Sequence, residues 1–386
     1  MKRFTSIVLA MMMVIMVFGT NSFADDKKAQ GPINLSSKSA ILMDVGSGQI
    51  LFEKNPHEKL PPASVTKVMT MLLIVEALDN GKIKLDDEVQ ISERASEMGG
   101  SQIFLEPGET QKVDDLLKGI AVASANDGCV AMAEFIAGSE EEFVAMMNNK
   151  AKELGMKDTN FANTNGLPVE NHYTSAHDIA IMSKELLKHD KITKYLTTWM
   201  DQIVVGKKRV SIGLANTNKM IKHYQGATGV KTGFTQEAKY CLSASAKRGE
   251  THLVAATLGA PTTQERFKDA SSLLSYGFAN YESVKLCSKG DTVATLTLDK
   301  AEDNKVNLVA KEDLSALIKK GESKDFTKKI DVVKDLKLPV KKGTELGSIS
   351  IYKGDKQVGK VMLVNEKDIK KAGYFKMFER VIDSIF

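Results

Sequence analysis

A serine and a lysine three residues apart, Ser64 and Lys67, follow the helix-blocking pair Pro61-Pro62 and open a run that reads as a helix to about Leu78. At i, i+3 on a helix the two side chains share a face, one turn apart. A serine hydroxyl is a weak nucleophile until a base takes its proton, and a lysine is such a base only when burial or neighbouring cations lower its pKa. Val65, Val68, Met69, Met71, Leu72, Leu73, Ile74 and Val75 leave this helix almost no polar face. A helix apolar all round is a central one, so Lys67 is expected to be desolvated. The start of a helix also aims unpaired N–H groups and a positive dipole end at the place where an oxyanion would form.

The same S-x-x-K spacing recurs at Ser350-Ile351-Tyr352-Lys353, inside an alternating pattern that reads as a strand. A strand puts residues i and i+3 on opposite faces, so this second pair cannot cooperate. Two further triplets single out Ser64. Ser124-Ala125-Asn126 follows the apolar helical pattern of Leu116 to Ala123, from where a hydroxyl and an amide can project into a cleft. Lys231-Thr232-Gly233 lies in a strand-like run, with Val230 before it and Phe234 after it. Ser-x-Asn at a helix end is commonly a cap, and Lys-Thr-Gly arises by chance, so neither carries weight alone. In the order S-x-x-K, S-x-N, K-T-G the three are far harder to dismiss.

The elements that must position these residues fall into two regimes. From about 39 to 282, β-like runs (Ser39 to Met43, Cys241 to Ala246, Thr251 to Leu258) alternate with helical ones (Val65 to Leu78, Val113 to Ala123, Ala176 to His189). From about 283 to 372 the helix signals fade, and short alternating runs at Thr292 to Leu298, Lys329 to Val333, Gly347 to Tyr352 and Gly359 to Val364 are separated by turn residues. This region reads as a small β domain. Between Ser283 and Gly373 it holds 20 Lys and no Arg against 14 Asp plus Glu, a net +6, read as a solvated charged surface.

Lys2 and Arg3, the apolar run Ile7 to Gly19 and the small residues Ser22 and Ala24 form a signal-peptide pattern over residues 1–24, with cleavage expected after Ala24 and an uncleaved anchor as the alternative. Removing Lys2 and Arg3 from a formal net charge of +4 leaves +2, which excludes a polyanion such as nucleic acid as the main partner. Cys129, Cys241 and Cys287 are an odd number, far apart, and are expected as buried free thiols. The six His are scattered without ligand spacing, so neither a metal nor another cofactor is implied. At the other end, over residues 373–386, Tyr374, Met377, Phe378, Val381, Ile382 and Ile385 share one helical face. That stretch is too short to span a bilayer and is read as an amphipathic helix lying on a membrane surface, with docking on the protein's own core as the alternative.

With Pro62-Ala63-Ser64-Val65-Thr66-Lys67, Ser124-Ala125-Asn126-Asp127, Asn165-Gly166-Leu167, Lys231-Thr232-Gly233-Phe234-Thr235 and Tyr276-Gly277-Phe278, the chain resembles the low-molecular-mass penicillin-binding proteins. These are D-alanyl-D-alanine carboxypeptidases of the serine DD-peptidase superfamily, and the resemblance covers nearly the whole mature length. It departs at Ala125, where Gly is common, and at Phe234, where His is common.

The resemblance implies an α+β fold: a β-lactamase/transpeptidase-like domain over residues 25–282, with an antiparallel sheet, helices on both sides and a helical subdomain. A β-rich domain over 283–372 and the C-terminal helix follow. It implies an exported enzyme on the outer face of the cytoplasmic membrane that removes the terminal D-alanine from peptidoglycan stem peptides, with β-lactams as covalent inhibitors. Lys67 would deprotonate Ser64, and the N–H groups of Ser64 and Phe234 would hold the oxyanion. Ser124, held by Lys231, would pass a proton to the leaving D-alanine, and Asn126 would bond the peptide's amide. Thr232 would take the terminal carboxylate, Gly233 would leave room for a substrate backbone, and Arg266 is either a second carboxylate contact or half of a surface ion pair. Rival readings are a β-lactamase, which needs a glutamate-bound water where only Glu170 stands, and a non-catalytic β-lactam sensor.

Overall fold

Strands β1 (Ser39–Asp44), β2 (Ile50–Lys54), β3 (Ala227–Thr235), β4 (Lys239–Arg248) and β5 (Thr251–Ala260) form one antiparallel sheet in the order β2-β1-β5-β4-β3. The computed structural model describes residues 33–333 and 335–385, so the expected signal peptide lies outside the described residues. Side chains alternate across a strand, and here both faces are covered. Ile41, Met43, Val254, Ala256 and Leu258 pack with helices α1 (Lys67–Asp79) and α3 (Ala176–Leu186). Ala40, Leu42, Leu242, Ala244 and Ala255 face helix α4 (Thr263–Asn280) through Ala270, Leu273, Leu274 and Phe278. The many alanines of β4 and β5 let helices approach closely from either side, which gives the expected sheet with helices on both faces. Helix α2 (Asn126–Ala137) and the helix Glu140–Glu153 belong to the helical part beside it.

One helix start and one helix end differ from the sequence expectation, both at chemically interesting residues. The Ser64 segment is a 3₁₀ turn, Ala63–Thr66, and α1 begins only at Lys67. Residue 63 sits at φ +48, outside the helical region, so the α-helix cannot extend back through it. The expected helix Val113 to Ala123 is α-helical to Lys118 and then widens into a π-turn over Gly119–Ala123, ending at Ser124 with φ +64. Irregular turns of this kind frequently occur at functional sites.

Helix α4 runs straight into β6 (Tyr281–Cys287), which pairs with β9 (Leu314–Lys319). Strands β7 (Thr292–Thr297), β8 (Lys305–Ala310), β10 (Thr327–Val332), β11 (Glu345–Lys353) and β12 (Lys356–Asn365) form a second sheet in the order β7-β8-β12-β11-β10. Leu308, Leu314, Leu346, Ile351, Leu363 and Ile369 are its core. The Ser350–Lys353 pair lies in β11, as its alternation predicts. Cys129 and Cys241 are buried and free, but Cys287, expected to be buried, is only half covered at the end of β6.

Helix α5 (Tyr374–Ile385) closes the described chain. Arg380 donates to the carbonyls of Asp299, Ala301 and Glu302, while Tyr374 and Phe375 are 94% exposed and Phe378 67%. Among the described residues no helix is long and apolar enough to cross a membrane.

Candidate active site

The turn carrying Ser64 is held from several directions. Thr66 Oγ1 donates to Ala63 O at 2.9 Å and lies 2.7 Å from His172 Nε2. Gly166, at φ +87, packs so closely that a Cβ there would stand 1.8 Å from Ala63 O. Ser64 is left half-buried, and the wholly buried Lys67 puts Nζ 3.0 Å from its Oγ. Nζ also donates to Asn126 Oδ1 and to the carbonyl of Asn165, both at 2.6 Å. Burial draws the Lys67 pKa from 10.5 down to about 8, against an opposing pull from Cys129 and Asp127. Desolvation of this kind is what a lysine base requires.

Asn126 reaches this centre from the start of α2, and Ser124, buried, ends the π-turn just before it. Asn126 is fully engaged: besides Lys67, its Nδ2 donates to Gly99 O at 2.6 Å and its backbone N–H to Ser101 O at 2.8 Å. In the resting protein both ends of its side chain are already bonded, Oδ1 to Lys67 and Nδ2 to Gly99. Asp127, fully buried, accepts from the N–H groups of Ile103 and Leu105 and binds the 99–105 loop to the same helix start.

The third segment arrives on β3, in register with β4 so that Lys231 faces Ser243 and Gly233 faces Cys241. A Cβ on Gly233 would lie 2.8 Å from Pro62 O and 3.0 Å from Ser64 N. The absent side chain at this glycine thus makes room for the protein's own Ser64 turn. Lys231 is buried, and its pKa falls well below the ordinary value, first through burial and then through Lys67. Its Nζ donates to Thr232 O at 3.2 Å. Thr232 Oγ1 meets Thr217 Oγ1 at 2.6 Å. Phe234 is 45% exposed and leans on Tyr240 at 4.5 Å between ring centroids.

Arg266 settles one open alternative. It is buried, not a surface ion pair: Nη1 donates to the carbonyls of Gly233 and Cys241 at 3.0 and 3.3 Å, and the guanidinium lies against Tyr240 and Phe267. Its Nε has no partner, and burial lowers its pKa to about 10. Among the described residues its hydrogen bonds reach no carboxylate, so an incoming anion would meet an uncompensated buried cation. Glu170 is exposed on its loop, and Lys67 has no carboxylate among its hydrogen-bond partners.

Of the motif residues, Lys67 meets Ser64 and Asn126 directly, and Lys231 lies close enough to feel the charge of Lys67. Motif spacing missed Thr217 and His172, whose side chains join the site only through tertiary contact, and the Asn165 carbonyl, which no side-chain pattern can signal.

Comparison with known proteins bears on the whole chain. Residues 25–262 match the D-alanyl-D-alanine carboxypeptidase family model, and residues 281–371 match the C-terminal domain of penicillin-binding protein 5. D-alanyl-D-alanine carboxypeptidase DacF of Bacillus subtilis (strain 168) is 46% identical over 384 residues, covering 99% of this chain and 98% of that protein. The crystal structure of penicillin binding protein 5 from Haemophilus influenzae superposes with a TM-score of 0.68 at 31% identity, covering 88% of this chain and 99% of the other. Penicillin-Binding Protein D2 from Listeria monocytogenes, solved in the ampicillin bound form, gives 0.57 at 30% identity over 64% of this chain and 100% of that one. The site geometry and these matches agree: the chain belongs to the D-alanyl-D-alanine carboxypeptidase family of serine hydrolases.

Proposed function

We propose that Ser64 is the nucleophile of this carboxypeptidase and Lys67 its base. The observation that carries the reading is the 3.0 Å contact between Lys67 Nζ and Ser64 Oγ, made where the Gly233 strand presses against the Ser64 backbone. Neutral Lys67 takes the hydroxyl proton as Oγ attacks the carbonyl of the penultimate D-alanine, and the N–H groups of Ser64 and Phe234 receive the oxyanion. Ser124 returns a proton to the departing amine, in the field of Lys231. Thr232, its hydroxyl paired with Thr217, and the buried Arg266 bind the terminal carboxylate. Water then releases the shortened peptide. A β-lactam enters by the same attack and stays on Ser64, since the exposed Glu170 is not placed as a water-activating base.

In this reading residues 1–24 export the chain, 25–282 catalyse, 283–372 form the β-rich domain, and α5 rests on the outer surface of the cytoplasmic membrane. The outward aromatics of α5 support that last assignment. The decisive comparison is wild type against Ser64→Ala, with D-alanine release from a peptide ending in D-Ala-D-Ala and covalent labelling by radioactive penicillin as readouts. Both activities are expected to vanish in the variant; a labelled or active Ser64→Ala protein would overturn the assignment.

A further inference from the structure

We propose that His172 is a positioning residue for acylation: through Thr66 it braces the turn that presents Ser64 to Lys67. The brace is a chain of bonds with a fixed direction. Ala162 N–H donates to His172 Nδ1 at 3.0 Å, which leaves Nε2 as the protonated nitrogen facing Thr66 Oγ1 at 2.7 Å. That hydroxyl spends its own proton on Ala63 O at 2.9 Å, so it must accept from the imidazole. Burial, and then the charge of Lys67, push the His172 pKa down to about 4, which keeps the ring in this neutral tautomer.

What is braced is a conformation that does not maintain itself. Ala63 adopts φ +48, a region an alanine rarely occupies unless its surroundings impose it. The imposing contacts are the Thr66 hydroxyl on its carbonyl and the close approach of Gly166 to the same oxygen. The segment from Ala162 to His172 therefore fixes both reactive partners, Ser64 through His172 and Thr66, and Lys67 through the Asn165 carbonyl at 2.6 Å. Its separation from Thr66 by 106 residues explains why no local motif reveals it.

This role rests on Ser64 being the nucleophile, and the test separates the two claims. Stopped-flow acylation by a labelled penicillin gives the acylation rate constant apart from the non-covalent binding constant. In Thr66→Val and His172→Ala the rate constant should fall about tenfold or more while binding stays within about twofold, the pattern of a misplaced nucleophile. Thr66→Ser, which restores the hydroxyl, and His172→Gln, which can accept from Ala162 and donate to Thr66, should recover the rate to within about threefold. The double variant Thr66→Val/His172→Ala should be no slower than the slower single one, because both break the same brace. Wild-type rates in Thr66→Val, losses that appear in binding instead, or losses that multiply in the double variant would each overturn the proposal. Should His172→Ala lose its cooperative thermal transition, Thr66→Val against Thr66→Ser, one hydroxyl apart, decides alone. Labelling of Ser64→Ala would instead sink the nucleophile assignment, leaving the brace without a reaction to serve.

Discussion

In the proposed mechanism Lys67 is the residue whose charge state governs acylation, and its surroundings work in both directions. Burial disfavours the ammonium and brings its pKa to about 8, yet Asn126 Oδ1 and the Asn165 carbonyl both accept from it and favour the charged form. Since only the neutral amine serves as base, acylation by penicillin should rise about tenfold per pH unit on the acid side and level off above about pH 8. A rate profile flat between pH 6 and 8 would contradict this. At this scale the sequence was legible wherever a residue acts through its own side chain within a compact motif. Asn165 contributes a main-chain oxygen, and Thr217 and His172 act through partners 15 and 106 residues away, so neither spacing nor composition could mark them.

At the scale of elements, the meeting of β3 with the Ser64 turn decides whether the site exists. Gly233 is the point of contact, and adding one methyl group there would place carbon 2.8 Å from Pro62 O. Backbone cannot retreat as a flexible side chain can, so Gly233→Ala should separate the strand from Ser64 and slow acylation about 100-fold, with a lowered melting temperature. Acylation of that variant at the wild-type rate would show that the contact is dispensable. β1, β4, β5 and the body of α1 were foreseeable because short apolar runs and an all-apolar helix are local patterns. The 3₁₀ turn before Lys67 and the π-turn before Ser124 were not, because each is imposed from outside: one by Thr66, His172 and Gly166, the other by the close packing of Gly119 on Ile103.

For the molecule as a whole, the division into a mixed α and β region followed by a lysine-rich β region was readable from composition and period, while the strand order β2-β1-β5-β4-β3 was not. Order depends on which edges pair over long distances, and alternation is silent about that. The exposed aromatics of α5 make a prediction at this scale. A chain ending at Gly373 should lose most of its association with anionic vesicles, while releasing D-alanine from a soluble peptide within about twofold of the full-length rate. Undiminished vesicle binding would assign the surface contact elsewhere. One consequence of Arg380 remains. A guanidinium bonded to the carbonyls of Asp299, Ala301 and Glu302 resists turning the helix that carries it. Helix α5 is therefore pinned at Arg380 to the segment after β7, so any pull on its aromatics is passed to the second sheet through those three bonds.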